Sequence, residues 1–115
     1  MQFCRLYTGH DGRSHFEDLD QSAGSKHFLA TLPVKTLVFK NDTNRDDLHG
    51  WHTAPRRQWC ITLSGTVEIG IGDGTRRVFG PGDVFLAEDV TGEGHTAVPV
   101  DWVRAFVHLG RMTAE

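Results

Sequence analysis

The chain has 115 residues, of which 38% are apolar and 23% charged, and its formal net charge is −3. That length predicts one domain, 1–115, with the composition of a folded globular chain. The mildly acidic balance leaves no electrostatic footprint for nucleic acid, no apolar run approaches the roughly 18 residues of a membrane helix, and the first residues lack the apolar stretch of a signal peptide.

Only Cys4 and Cys60 are present, far apart in sequence, so neither a disulfide scaffold nor a Cys-based zinc module is expected. A reduced, cytoplasmic setting is the default expectation. Asn41-Asp42-Thr43 fits a glycosylation sequon, which we read as chance in a chain without a secretion signal.

In chain order, Gln2–Thr8 is the first expected strand, closed by Gly9 and Asp11-Gly12. Glu17–Ala30 is the one helix candidate, with Ser22 or Ser25 as caps. A strand over Val34–Lys40, rich in β-branched and aromatic residues, leads into a polar loop over Asn41–Asp47. Gln58–Leu63 follows and is broken by Ser64-Gly65. Thr66–Gly70 then alternates, Val67, Ile69 and Ile71 against Glu68. Asp73-Gly74 supplies a hairpin turn, because both residues tolerate positive φ, and Arg76–Phe79 returns from it. Gly80-Pro81-Gly82 turns into Asp83–Ala87, and Thr91–Gly94 is a loop before strands at His95–Val98 and Trp102–Leu109. About eight to ten short strands with almost no helix predict a sandwich or a closed or jelly-roll barrel, and a small barrel holds one ligand.

Histidine stands out, at 7 residues. The densest chemistry runs from Trp51 to Gly65. On a strand, Gln58, Cys60 and Thr62 share one face, and Trp59, Ile61 and Leu63 share the other. The first set is polar for a core face and suits a cavity wall; a solvent-facing strand is the alternative. In the last strand Trp102, Arg104, Phe106 and His108 alternate with Val103, Ala105 and Val107. The aliphatic set reads as packing, which sends the aromatic and basic set to a pocket or a subunit interface. Arg56 and Arg57 face opposite ways, so at least one points inward or pairs with an acid. Both they and Arg76-Arg77 are candidates for an anionic ligand or a solvated face, and solvation is favoured for Arg76 and Arg77. His10, His15 and His27 lie in polar stretches and read as solvated. Glu88 and Asp89 cannot share a strand face, so one is available to cap the pocket loop or hold an arginine. Gly70–Gly74 opens no helix and reads as a hairpin turn, not a dinucleotide loop.

From about Leu48 to Val98 the sequence resembles the cupin superfamily. His52 falls on the first His of the family's first motif, and Gln58 and Gly65 hold its Glu…Gly spacing. Phe79-Gly80-Pro81-Gly82-Asp83-Val84 matches the opening of the second motif, and His95 matches its His, after extra residues within Glu88–Gly94. Two departures stand out: Ala54 replaces the usual second His, and Gln58 the usual Glu. The resemblance implies an all-β, single-domain cupin or jelly-roll β-barrel with little helix and a ligand inside. Metal-binding cupins use His and Glu ligands; here His52, His95 and the neutral amide of Gln58 remain. His108 is a candidate replacement, whereas His49, three residues from His52, points to the opposite face of a regular strand. A divalent ion held this way would be iron, manganese, nickel or zinc.

Three functions follow. In the first, His52 and His95 are general acid and base of an isomerase, cyclase, dehydratase or epimerase, since an imidazole with pKa about 6.5 exchanges protons near neutrality. Gln58, Cys60, Arg57, Trp102, Arg104, Phe106 and Tyr7 would contact the substrate. The aromatic set Trp59, Trp102, Phe106 and Tyr7 points to a ring-bearing or polyketide-like molecule. In the second, His52, Gln58, His95 and His108 hold a metal in an oxygenase or lyase. In the third, the barrel binds a ligand without turning it over. All three place a small molecule in the barrel, with no nucleic-acid or membrane partner. A homodimer is expected through pairing of Gln2–Thr8 across subunits, which would cover an open strand edge.

Overall fold

The structure is a computed structural model that describes residues 1–42 and 50–109. His49, a metal candidate, and most of the expected 41–47 loop lie outside the described residues. The described chain is all-β, with no helix. Its strands are β1 (Phe3–Thr8), β2 (Ser14–Asp18), β3 (Thr36–Asp42), β4 (Gln58–Gly70), β5 (Arg76–Phe79), β6 (Val84–Glu88) and β7 (Thr96–His108).

One mixed sheet runs in the order β2-β1-β6-β4-β7-β3, with β5 paired to β4. All neighbours are antiparallel except β1 and β6, which run parallel. The two long strands β4 and β7 form its spine. Along its other edge, β4 pairs β6 through Gln58–Ile61 and β5 through Val67–Gly70.

The sequence pattern divides each long strand in two, and the structure shows why it breaks there. Gln58, Cys60 and Thr62 face inward before Ser64-Gly65, whereas Val67, Ile69 and Ile71 are buried after it. β7 makes the matching change: Ala97 is buried before Asp101, and Trp102 and Arg104 after it. Gly65 and Asp101 both adopt positive φ, at 69° and 48°, and the β4–β7 register is irregular at this level. A Cβ on Gly65 would collide with the Asp101 carbonyl oxygen. Paired bulges therefore bend both strands together, inverting which residues face inward without unpairing them.

The helix expected over Glu17–Ala30 does not form. Glu17 and Asp18 end β2, and the following segment is a series of turns. Local side chains supply the reason. The Asp20 carboxylate accepts the Ser22 amide and hydroxyl, and the Ser25 hydroxyl accepts the Phe28 amide at 2.7 Å. Gly24 and Leu29 take left-handed conformations that end any helical run. Other boundaries move as well: Asn41 and Asp42 extend β3 instead of opening a loop, and β2 was not foreseen. The expected exchange of Gln2–Thr8 also loses its premise, because β1 is paired on both sides, by β2 and β6, within the chain.

Side-chain alternation divides the interior in two. The inner cluster joins Cys4, Leu6, Cys60, Val67, Ile69, Ile71, Phe79, Phe85, Ala87 and Trp102. Strands from both ends of the spine meet there, so the sheet is curled around one core in a barrel-like way. On the outer face, Trp59, Phe3 and Leu86 form a second cluster, closed over by Leu19, Phe28 and Leu32 from the turn segment. No helix of the described residues is long and apolar enough to cross a membrane.

Candidate active site

Above the inner cluster, β3, β4, β6, β7 and the stretch entering β4 enclose a cavity of about 500 Å³. Seven of the expected site residues line it: His52, Gln58, His95, Trp102, Arg104, Phe106 and His108. They come together because β4 and β7 are in register. Gln58 lies opposite His108, Cys60 opposite Phe106 and Thr62 opposite Arg104. β3 continues the rows on the far side, with Val38 opposite Phe106 and Lys40 opposite Arg104.

His52 and His95 form an isolated backbone bridge, each amide donating to the other's carbonyl, at 3.0 and 2.9 Å. Their rings lie 4.6 Å apart between centroids, edge to face. Gly94 makes this approach possible: its φ is +82°, and a Cβ there would collide with the His52 carbonyl. Each imidazole is held through Nδ1. In His52, Nδ1 meets the Gly50 carbonyl at 2.8 Å, which accepts only from a protonated nitrogen. In His95, Nδ1 lies 2.6 Å from Asp89 Oδ2, a carboxylate with no solvent exposure. Ser14 donates its hydroxyl to the same oxygen at 2.7 Å. Placing the proton on Nδ1 leaves Nε2 as the working nitrogen of each ring.

Two further cavity groups tune the floor and the mouth. The buried Gln58 Oε1 has no hydrogen-bond partner among the described residues. Arg104 is buried with its guanidinium 4.1 Å from the Trp102 ring centre, while Trp102 Nε1 donates to Thr62 Oγ1 at 3.0 Å. His108 lies between Thr36 Oγ1, 2.7 Å from Nδ1, and the Arg56 guanidinium, 3.3 Å from Nε2. Desolvation, with the positive charges of Arg56 and Lys40, holds the His108 pKa below its ordinary value.

Three expected substrate contacts lie elsewhere. Cys60 faces inward but is packed into the core below the cavity, where burial pushes its thiol pKa up. Arg57 turns to the opposite side and binds Glu88, at 2.7 and 2.9 Å, while its neighbour Arg56 lines the cavity. Tyr7 is beneath the Arg5 guanidinium, 4.0 Å from it, and beside His15. Alternation explains both displacements: Arg57 follows Arg56 by one residue, and Tyr7 follows the inward Leu6 by one. The pair Glu88 and Asp89 is likewise divided, one acid holding arginines and the other holding His95. His15 pairs with Asp11 and His27 packs on Trp59, so neither is simply solvated; Arg76 and Arg77 bind Glu68 and Asp18.

The metal donor set is tested by the same geometry. Among the described residues, no three His, Cys, Asp or Glu side chains gather as a ligand set. Both His108 nitrogens face other partners, so what remains is two imidazoles and a neutral amide, without an anion to offset a divalent ion. Among the described residues, these side chains do not fit a resident metal.

Fold and site together define an all-β, barrel-like protein with a histidine pair inside a cavity. No family model, curated protein or solved structure matches the chain.

Proposed function

We propose that the chain is a cupin-type barrel enzyme that moves protons on a small molecule, with His95 and His52 as base and acid. The observation carrying this reading is the buried Asp89 behind His95, which faces His52 inside the cavity. Asp89 fixes the tautomer and orientation of His95, the role an orienting carboxylate plays for a general base. One neutral Nε2 takes a proton from carbon, and the second imidazole, when protonated, returns one to another atom or to the opposite face of the same carbon. The bond removed and the bond formed are then a C–H and a C–H or O–H, which covers isomerisation, epimerisation and the proton steps of cyclisation or dehydration. Gln58 Oε1 supplies an acceptor for a substrate hydroxyl or amide. Trp102 and Phe106 line the cavity with flat apolar surface suited to a ring-bearing substrate.

Solvent deuterium incorporation tests this reading. Aryl ketones and aryl β-hydroxy ketones are incubated with chelator-treated protein in D2O and followed by NMR. Wild type is expected to exchange a substrate proton, and His95→Gln to slow it by about 10²–10⁴-fold. Ligand binding without exchange would make the barrel a binding module. About one metal ion per chain, lost in His52→Ala, would move the reading to a metal-dependent oxygenase or lyase.

A further inference from the structure

The ionisable lining of the cavity has one sign. Lys40, Arg56 and Arg104 line it together with His52, His95 and His108, and no carboxylate does so among the described residues. Among the described acids, Asp89 is engaged behind His95 and Glu88 on Arg57 and Arg5. Arg56 and Lys40 are exposed, so they stand at the mouth, whereas Arg104 and His95 are buried deeper. The Lys40 side chain has no hydrogen bond or ion pair with another described residue, and the Arg56 side chain meets the ring nitrogen of His108. Both charges act on His108, which they help keep neutral, so their fields overlap beside it. Like charges that face no carboxylate among the described residues attract an anion and repel each other without it.

We infer that the cavity takes an anionic small molecule, its carboxylate or phosphate seated between Arg56 and Lys40 at the mouth and a flat ring reaching past Phe106 and Trp102. The guanidinium of Arg56 offers the fork that suits either oxyanion, and Lys40 adds a point charge. The end away from the anion then reaches His52 and His95. Only that last statement rests on the acid/base reading; the charge preference does not.

Binding calorimetry with 2-naphthoate, 2-naphthamide and 1-naphthyl phosphate tests the inference on the intact protein. The first two are matched in ring and size and differ in charge. Naphthoate is expected to bind about tenfold or more tightly than the amide, as a charge-assisted contact predicts. The preference should shrink as salt rises and vanish in the Arg56→Gln/Lys40→Gln double variant, whose two exposed side chains leave the core intact. The ratio of naphthoate to naphthyl phosphate tells carboxylate from phosphate recognition. Equal binding of naphthoate and naphthamide, no binding of any of the three, or a preference that survives in the double variant would overturn the inference. His95→Gln should keep the charge preference. A wild type that binds naphthoate selectively but catalyses no proton exchange would sink the acid/base reading alone.

Discussion

The two faces of β4, β6 and β7 are built from alternate residues of the same strands, yet they do different work. Gln58 faces the cavity and its neighbour Trp59 the outer cluster; Phe106 and Val107 divide the same way. The outer face is apolar and aromatic. Phe3 stacks on Trp59 with ring centres 5.5 Å apart, Phe28 meets Phe3 edge-on, and Leu19 and Leu32 close the layer. The inner face starts as a comparable apolar core, then gives way to His, Arg and Gln around open volume. Polar groups there keep part of their hydrogen-bonding capacity unspent, which lowers what that wall contributes to stability and leaves it available to a ligand. A single strand can thus carry its stability on one side and its chemistry on the other.

Substitutions can separate these two roles. The largest effect is expected from Trp59→Ala, which removes the centre of the outer cluster. Chemical denaturation should show a loss of about 3–5 kcal/mol, while the protein still folded binds naphthoate as wild type does. Loss of binding in step with stability would mean that the two faces are not independent. Asp89→Asn attacks the inner wall instead. It should cost about 1–3 kcal/mol, because one fully buried oxygen serves both Ser14 and His95, and it should reduce proton exchange more than it reduces ligand affinity. An unchanged exchange rate would show that Asp89 does not position the base.

Gly94→Ala targets the backbone that brings the histidines together. Strain at its positive φ and the collision with His52 predict a loss of about 1–3 kcal/mol and weaker magnetic coupling between the two rings in NMR. A smaller change is expected at the turn before β6. Burial would raise the Asp83 pKa, but amide donors from Gly80 and Gln2 outweigh it and hold the carboxyl below its ordinary value. A carboxyl lowered in the folded state stabilises above its unfolded pKa of about 3.9, and this is lost as pH falls through the folded value. Asp83→Asn should therefore cost about 1 kcal/mol at neutral pH, from the weakened hydrogen bonds, and the gap to wild type should narrow in acid. The slightest readout is thiol chemistry. Desolvation raises Cys4 to about 11 and Cys60 further, so neither should react with a disulfide reagent at neutral pH until the chain unfolds.

Much of the site was legible because it is written in alternation. The spacing of Trp102, Arg104, Phe106 and His108 assigns them to one face without knowledge of their neighbours, and the structure places all four on the cavity. His52, Gln58 and His95 could be singled out from motif spacing. Arg57 and Tyr7 were misplaced because the face of a strand has to be anchored by a partner before parity means anything. β2 escaped notice because Ser14–Asp18 is short and polar, with Phe16 its one large apolar residue packing inward. For Asp89 the sequence offers a loop cap or an arginine partner, whereas the fold turns its carboxylate onto His95 and brings Ser14 from β2 to the same oxygen.

The all-β class, most turns and the parity of the strands flanking the site can be read from the chain alone, because turn chemistry and side-chain alternation act over a few residues. Tertiary packing alone makes β4 and β7 bend as one, stands Asp89 behind His95, and sets Lys40 and Arg56 on one cavity. Those relations depend on strand order, register and loop path rather than local preference, even where, as for Asp89 and His95, the residues stand close in the chain.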